Sequence, residues 1–545
     1  MSEEAKKHSL LAPLEDPTFR GLWVATMSSN LGGLIQAVGA GWMMTTITNS
    51  RDMVALVQAS STLPIMLFSI VAGALADSID RRRIMLTAQT FMLSVSAALA
   101  AFAFMGLLSP WLLLTFTFLI GCGMALNNPS WQASMGDIVR RDQLPTAVSL
   151  NSMSFNLMRS VGPAVGGTIV QVAGAAVAFT VNACSYVLLI FALLRWQPKT
   201  VPSALPREAV GPAISAGLRY IVMSPNLMKV MFRGFMFGGS AVAVLALLPL
   251  VARDLVDGDA LTYGFLLGAF GFGAIGGAVL NSHLRARFKN EIVVRGAFLT
   301  FALTALLLGL SRQIWLSCFI LMFSGACWVL VMSLFNVTVQ LSTPRWVVGR
   351  ALSIYQTATF GGMAGGSWLW GGTAQAYGSA TALIVSACVM VVGALAGLKW
   401  PLPEFSALNL DPLGRFTEPQ LRLDLRMRSG PIMVMVDYEI DQEDVPAFLE
   451  AMAERRRVRK RDGARQWALL RDLENPDIWT ESYHVPTWVE YVRHNQRRTQ
   501  ADAEISDKLR ALHRGGEIRV HRMIERQAVP RHDDTPLKPH LDVHH

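Results

Sequence analysis

Charge is what most of this chain lacks. Of its 545 residues, only 16% are charged, where a soluble globular chain carries about 25%. The deficit is confined to one region. Residues 1–400 hold 25 Lys+Arg and 14 Asp+Glu, whereas residues 401–545 hold 23 and 25. Net charges of +11 and −2 make up the overall +9. With 52% hydrophobic residues, this excludes a uniform soluble fold, a disordered chain and a collagen-like chain. A disulfide framework is missing as well. Cys122, Cys184, Cys318, Cys327 and Cys388 all lie inside apolar runs without metal-ligand spacing, and read as small buried hydrophobes. Residues 1–18 read as polar, and no cleavable leader is expected ahead of the first apolar run. No Asp or Glu is expected deep in an apolar run, so no proton-carrying carboxylate stands out.

What the first 400 residues do have is length of apolar sequence. Twelve runs match the roughly 20 residues that a membrane-crossing helix needs. They are 19–46, 53–76, 84–108, 111–136, 145–173, 175–194, 227–252, 259–281, 293–311, 313–338, 351–377 and 380–398. Pro64, Pro129, Pro163 and Pro249 lie in or near them, which membrane bundles tolerate. The basic residues alternate in side. Lys6, Lys7, Arg20, Arg81–Arg83, Arg140, Arg141, Arg195, Lys199, Arg207, Arg219, Arg285, Arg287, Lys289, Arg345 and Arg350 flank one side, and only Arg51, Arg253 and Arg312 the other. Both termini are thus expected in the cytoplasm. The sequence pI of about 9.5 reflects this topology, and no nucleic-acid partner is expected.

The chain repeats itself. Gly73-Ala-Leu-Ala-Asp77-Ser-Ile-Asp-Arg81-Arg82-Arg83 returns as Gly277-Ala-Val-Leu-Asn281-Ser-His-Leu-Arg285, 204 positions on. The same offset relates Gly121 to Gly325 and Ala147 to Ala351. Two six-helix pseudo-repeats, 19–194 and 227–400, joined by a cytoplasmic loop 195–226, are expected to face each other across a path near the bilayer midplane.

These motifs carry a family resemblance. Gly73, Asp77, Arg81, Arg82 and Arg83 resemble the helix 2–3 signature of the major facilitator superfamily, with Ser78 and Asp80 departing from it. Gly162-Pro163-x-x-Gly166-Gly167 is similar to the helix-5 motif of its exporters. The chain as a whole resembles the transmembrane secretion effectors, enterobactin-exporter-like proteins. The resemblance implies secondary transport of a small molecule by alternating access, with no cofactor and no catalysis. Thr117 stands where the superfamily's helix-4 arginine would be, which sets the usual form of proton antiport aside.

Single residues admit two readings each. Asp77 is a gate acid acting near Gly349–Ala351, or a solvated charge paired with Arg81. Arg81–Arg83 are gate partners or positive-inside anchors. Arg159, inside the fifth run, meets an anionic substrate or snorkels to an interface. Lys229 and Arg233 are read as interfacial. Asn30, Gln36, Asn127, Asn128, Trp131, Asn156, Asn336, Tyr355 and Gln356 are substrate-path candidates, or interhelical hydrogen-bonding groups. Gly271-x-Gly273-x-x-Gly276 mimics a dinucleotide fingerprint but lies in an apolar run with no strand before it.

Behind a linker, 401–429, residues 430–527 alternate as β-α-β-β-α-β: strands near 432–440, 465–473, 477–485 and 517–525, and helices over 444–461 and 487–513. This is the order of a cytoplasmic ferredoxin-like unit, similar to dimeric α/β-barrel domains. Trp488, Glu490 and Arg493 match the secretion effectors' tail motif, whereas Tyr491 replaces its histidine. Residues 528–545 form a His-bearing tail. The unit is read as a dimerisation or regulatory module, with the base run 455–461 facing membrane lipid or solvent. A cofactor-free monooxygenase using Trp479, His484, His494 and Asn495 is the alternative. The expected fold is therefore an all-α polytopic membrane protein with an α+β tail. The expected activity is export of a siderophore or lipophilic small molecule, with lipid or multidrug transport on the same scaffold as alternatives.

Overall fold

The computed structural model describes residues 12–139, 143–197, 210–344, 346–402, 410, 413 and 416–525. It divides into two compact units. One comprises residues 1–214, 226–339 and 349–404, the other residues 215–225, 340–348 and 405–545.

In the first unit every apolar run forms a helix: α1 Pro17–Ile47, α2 Arg51–Ser78, α3 Arg81–Phe104, α4 Pro110–Ile138, α5 Leu144–Ala173 and α6 Ala175–Arg195. After α7, Val210–Val222, follow α8 Pro225–Leu250, α9 Ala260–Arg287, α10 Asn290–Leu310, α11 Ile314–Leu341, α12 Val348–Tyr377 and α13 Ser379–Lys399. Helix α7 occupies part of the stretch expected as a loop. Its residues from Ser215 onward group with the tail, as do residues 340–348.

Local chemistry sets the ends. Asp16 accepts from the Thr18 and Phe19 backbone ahead of Pro17. Ser109 caps α4 before Pro110, and Asp259 caps α9. Asp80, where the signature has a glycine, caps α3 by accepting from the Arg82 N–H. Gly174, with φ 84°, turns α5 directly into α6, and Gly378, with φ 90°, turns α12 into α13. Only glycine takes this conformation freely, and the two lie 204 positions apart, in the register of the internal repeat.

Nine helices among the described residues are long and apolar enough to cross a membrane. Trp315, Val172 and Trp368 are among many large apolar side chains left exposed on the helix surfaces. A protein placed in water would not carry so much exposed apolar surface; lipid is its solvent.

The second unit carries a small antiparallel sheet of β1 Ile432–Glu439, β2 Arg465–Arg471, β3 Ile478–Val485 and β4 Arg519–Ile524, in the order β2-β3-β1-β4. Ile432, Val434, Val436 and Tyr438 alternate into the core against Phe448 and Met452 of α14, Val445–Asp462. The single helix expected over 487–513 is two, α15 Trp488–Gln496 and α16 Gln500–Leu512. Thr499 and Asp502 form a capping box that starts a new helix. This signal competes successfully with continuous helical periodicity.

Candidate functional site

The helix-5 motif places the site. Gly162 and Gly166 of α5 pack against Leu31, Leu34, Ile35 and Val38 of α1. On the other side Gly167 meets the backbone of Ala260 and Gly264 in α9. Gly271 of α9 lies against the Arg159 carbonyl. Pro163, four residues on, has no N–H to bond that carbonyl, which leaves it free to face the glycine. Small residues therefore let α5 lie against both α1 and α9, so the first six helices meet the last six along this seam. Gly273, within the same fingerprint-like run, packs on the Met322 backbone of α11. The run is a packing face, not a nucleotide loop.

Beside the seam lies a cavity of about 360 Å³, within the size range of small-molecule sites. It is lined from α1–α6 on one side and α8, α9 and α12 on the other. Its apolar wall includes Leu34, Val54, Ile65, Met92, Phe155, Leu267, Phe270, Phe360 and Met363. Asn30, Gln36, Asn127, Asn128 and Arg159, from the sequence candidates, line it. Gln58, Gln89, Ser61, Thr62, Thr117, Tyr186 and Tyr263 also line it. The two glutamines satisfy the same criterion as the asparagines, being amides inside apolar runs. The tyrosines and hydroxyls carried no signal that separates them from ordinary helix packing.

The lining differs from group to group. Gln36 is held by Asn182, with Ser96 and Tyr186 completing a buried network. Gln89 donates to Asn127 at 3.1 Å. Thr117 bonds its own helix at Leu113. Asn30, Gln58 and Asn128 make no side-chain hydrogen bond among the described residues and are open to a solute. Arg159 is the one charged group of the wall, its guanidinium carbon 5.4 Å from the Phe270 ring centroid. Among the described residues it has no carboxylate partner.

Other candidates lie off the cavity wall. Trp131 is buried in a cluster with Leu22 and Met85 and donates to Asn151 at 3.2 Å. Asn156 bonds the Ser152 carbonyl on its own helix. Tyr355 is buried, with its hydroxyl on the Met332 sulfur. Asn336 and Gln356 are half-buried on α11 and α12. Arg233, read from sequence as interfacial, is 1% exposed. Its Nη1 donates to both oxygens of Glu291, at 2.7 and 2.6 Å, and Glu291 also accepts from the Leu402 backbone. Glu291 begins α10, so the carboxylate lay outside the apolar stretch searched for one. Gly397 lies against this pair, and a Cβ there would push on the Glu291 and Arg233 side-chain ends.

At one end of the helices, Arg81 reaches the Ala133 carbonyl at 2.9 Å and Asp137 at 2.8 Å. Arg82 donates to the carbonyls of Leu193 and Leu194, closing the α6 C-terminus. Arg83 begins α3 beside them. Gly73 lies against Ser353 of α12, and Ser69 shares a 2.8 Å hydrogen bond with Thr357. The side chain of Asp77 lies outside the described residues. At the other end, Asp254 takes Arg51 at 3.3 Å and Arg253 at 2.7 Å. Arg253 donates to the Thr45 carbonyl, and the Arg51 backbone N–H to Gln375. These bonds tie the α1–α2 connection to the ends of α8 and α12.

In the tail, His494 is buried, accepts from Arg459 through Nε2, and faces the Asp462 carbonyl with Nδ1. Burial and then the neighbouring Arg459 push its pKa down to about 3. Tyr491 accepts from Arg522 at 2.6 Å and stacks on Trp488. His484 sits on β3 opposite Met433, on the sheet face away from Phe448, apart from His494.

A bundle of membrane-length helices around a cavity is the architecture of a multi-pass membrane transporter. The chain matches the transmembrane secretion effector family over residues 8–529 and belongs to it. It is 25% identical to the enterobactin exporter EntS of Escherichia coli over 65% of this chain and 85% of that protein. It is 24% identical to the multidrug efflux pump Tap of Mycolicibacterium fortuitum, over 71% and 96%. It is also 24% identical to the staphyloferrin A transporter of Staphylococcus aureus, over 45% of this chain and 62% of that protein's length. Its fold is shared with an inward-facing bacterial homologue of the lysosomal transporter Spinster, at TM-score 0.54 and 13% identity over 70% of this chain and 97% of that one. It is shared equally with a POT family transporter, at TM-score 0.58 and 13% identity over 71% and 96%. The family and these relatives are transporters, not enzymes, so the monooxygenase alternative is not carried further.

Proposed function

We propose that this protein exports a lipophilic small molecule bearing an acidic group, of the siderophore class, by alternating access to the central cavity. The observation that carries this reading is Arg159. It is a lone cation in an apolar wall, with open amides nearby. A cation within a membrane helix is costly without an anion, and its planar fork suits carboxylate or catecholate oxygens. The enterobactin exporter and the staphyloferrin A transporter among the relatives support the same cargo class. The multidrug pump among them, together with the apolar lining, favours a second reading of broad lipophile efflux.

In this reading all twelve apolar helices cross the bilayer as two six-helix halves, with both termini on the cytoplasmic side, as the basic residues imply. The Arg51–Asp254–Arg253 cluster then closes the outer end. Asp77 and Arg81 act at the inner end, beside Arg82 and Arg83. The tail is proposed as a ferredoxin-like assembly module, supported by its β2-β3-β1-β4 antiparallel order. Its sheet face away from the helices carries Met433, Met435 and Met523, which suits a second copy. Inverted membrane vesicles test the substrate class. Uptake of tri-catecholate and carboxylate siderophores should exceed that of size-matched cationic dyes by about tenfold, the discrimination expected of one charge-assisted contact. Equal uptake of both would favour the broad pump.

A further inference from the structure

The tail contains a second cluster of charge, separate from the transport cavity. On α14, Arg455 and Arg459 stand one turn apart and both reach Glu481 of β3, at 2.9 and 3.1 Å. Glu481 is fully buried and also accepts from the Trp467 indole at 3.0 Å. One carboxylate therefore serves two guanidiniums and has no free capacity for a third. Burial alone would raise the Glu481 carboxyl, but Arg459 and Arg455 outweigh it and hold the group ionised.

A third guanidinium does arrive. Arg498, between α15 and α16, donates to the Ser506 hydroxyl, which also accepts from Arg455 at 3.2 Å. Two cations thus share one neutral oxygen. The nearby carboxylates are taken: Arg461 bonds Asp462 at 2.9 Å and both oxygens of Asp502 at 3.1 Å. Thr499 also holds Asp502. His494 is neutral, since its Nε2 accepts from Arg459. Arginines outnumber carboxylates in this cluster, and among the described residues Arg498 is the one of Arg455, Arg459, Arg461 and Arg498 that makes no carboxylate hydrogen bond. Burial, then Arg459 and Arg455, press its pKa down to about 10. Arg455, Arg459, Arg498, His494, Ser506, Asp462 and Asp502 line a cleft whose interior of about 20 Å³ exceeds what a single water-sized group needs.

We propose that this cleft binds a small oxyanion, a phosphate or carboxylate group. One or two of its oxygens enter to take the donors of Arg498 and Arg455 that now converge on Ser506, and the rest of the ligand stays in the mouth. An anion there supplies the acceptor that this set of donors lacks, by charge-assisted bonds. Free phosphate and a phospholipid headgroup offer the same chemistry.

The test uses the full chain in neutral detergent, with inorganic phosphate titrated at constant ionic strength and thermal stability as readout. Phosphate should stabilise the wild type saturably, as a ligand specific to the folded state does. Arg498→Gln should be more stable than wild type without phosphate, because it removes the surplus charge. It should bind phosphate about tenfold more weakly. Ser506→Ala removes the neutral acceptor and should make stability depend more on phosphate. Arg457→Gln, exposed on the same helix, should behave as wild type. Stabilisation by phosphatidic acid in nanodiscs but not by free phosphate would keep the site and assign its ligand to lipid. No saturable stabilisation by either source would overturn the proposal. Equal phosphate gains in wild type and Arg498→Gln would also overturn it, as would an Arg498→Gln protein less stable than wild type.

Discussion

At the His494 ring, one nitrogen accepts from Arg459 and the other faces the Asp462 carbonyl, so the imidazole is neutral in the folded chain. Its pKa is about 3, against 6.5 ordinarily. Below pH 6.5 the unfolded chain takes up a proton that the folded chain refuses. Stability therefore falls with acidification, by at most about 1.4 kcal/mol per pH unit. Glu481 contributes in the same direction only below its ordinary value of 4.5, and Asp462, which burial raises, contributes in the opposite direction, so of these three groups only His494 weakens the fold as pH falls from 6.5 to 4.5. His494→Gln keeps an acceptor for Arg459 and should flatten the melting temperature of the tail between pH 6.5 and 5. An unchanged slope would contradict this account. The sequence showed a histidine in a helix; it could not show that an arginine on the preceding helix, two strands back, would use up its lone pair. Arg233 was missed for the same reason, because its partner Glu291 is 58 positions distant. Arg159 was legible because a cation in an apolar run is conspicuous without knowing any neighbour.

Among elements, α5 and α9 decide how the halves meet, and their glycines differ in what surrounds them. A Cβ at Gly271 would strike the Arg159 carbonyl, whereas one at Gly276 meets nothing within 4 Å. Gly271→Ala should cost about 1–3 kcal/mol, the usual range for overpacking, and should shift Arg159. Gly276→Ala should be neutral or slightly stabilising, by about 0.4–1 kcal/mol. Thermal unfolding in detergent compares the two, and equal losses would refute the packing assignment. Helix positions were readable because twenty apolar residues bounded by Arg, Pro and Gly leave little freedom. Helix α7 was not, since its short run lies among polar residues. The break at Thr499 depends on a capping box that a continuous helical pattern conceals.

For the whole molecule, the helices enclose a cavity whose wall carries one charge among the described residues. Asp254 and its two arginines join the halves at one end, and Ser69 with Thr357 joins them at the other. The half-exposed ion pairs at the Asp254 end are each worth about 0.2–1 kcal/mol, weak enough to break and reform during a cycle. Long apolar runs made a helical multi-pass membrane protein readable in the sequence. Which amides face the cavity and which face a neighbouring helix follows from helix rotation, fixed only by packing. The central claim is that an anionic solute crosses this cavity in contact with Arg159. The direct measurement is initial siderophore uptake into inverted vesicles at matched protein level. Arg159→Lys, with a point charge in place of a planar fork, should lower the rate about tenfold or more, and Arg159→Gln should nearly abolish it. Uptake by Arg159→Lys equal to wild type would contradict the claim.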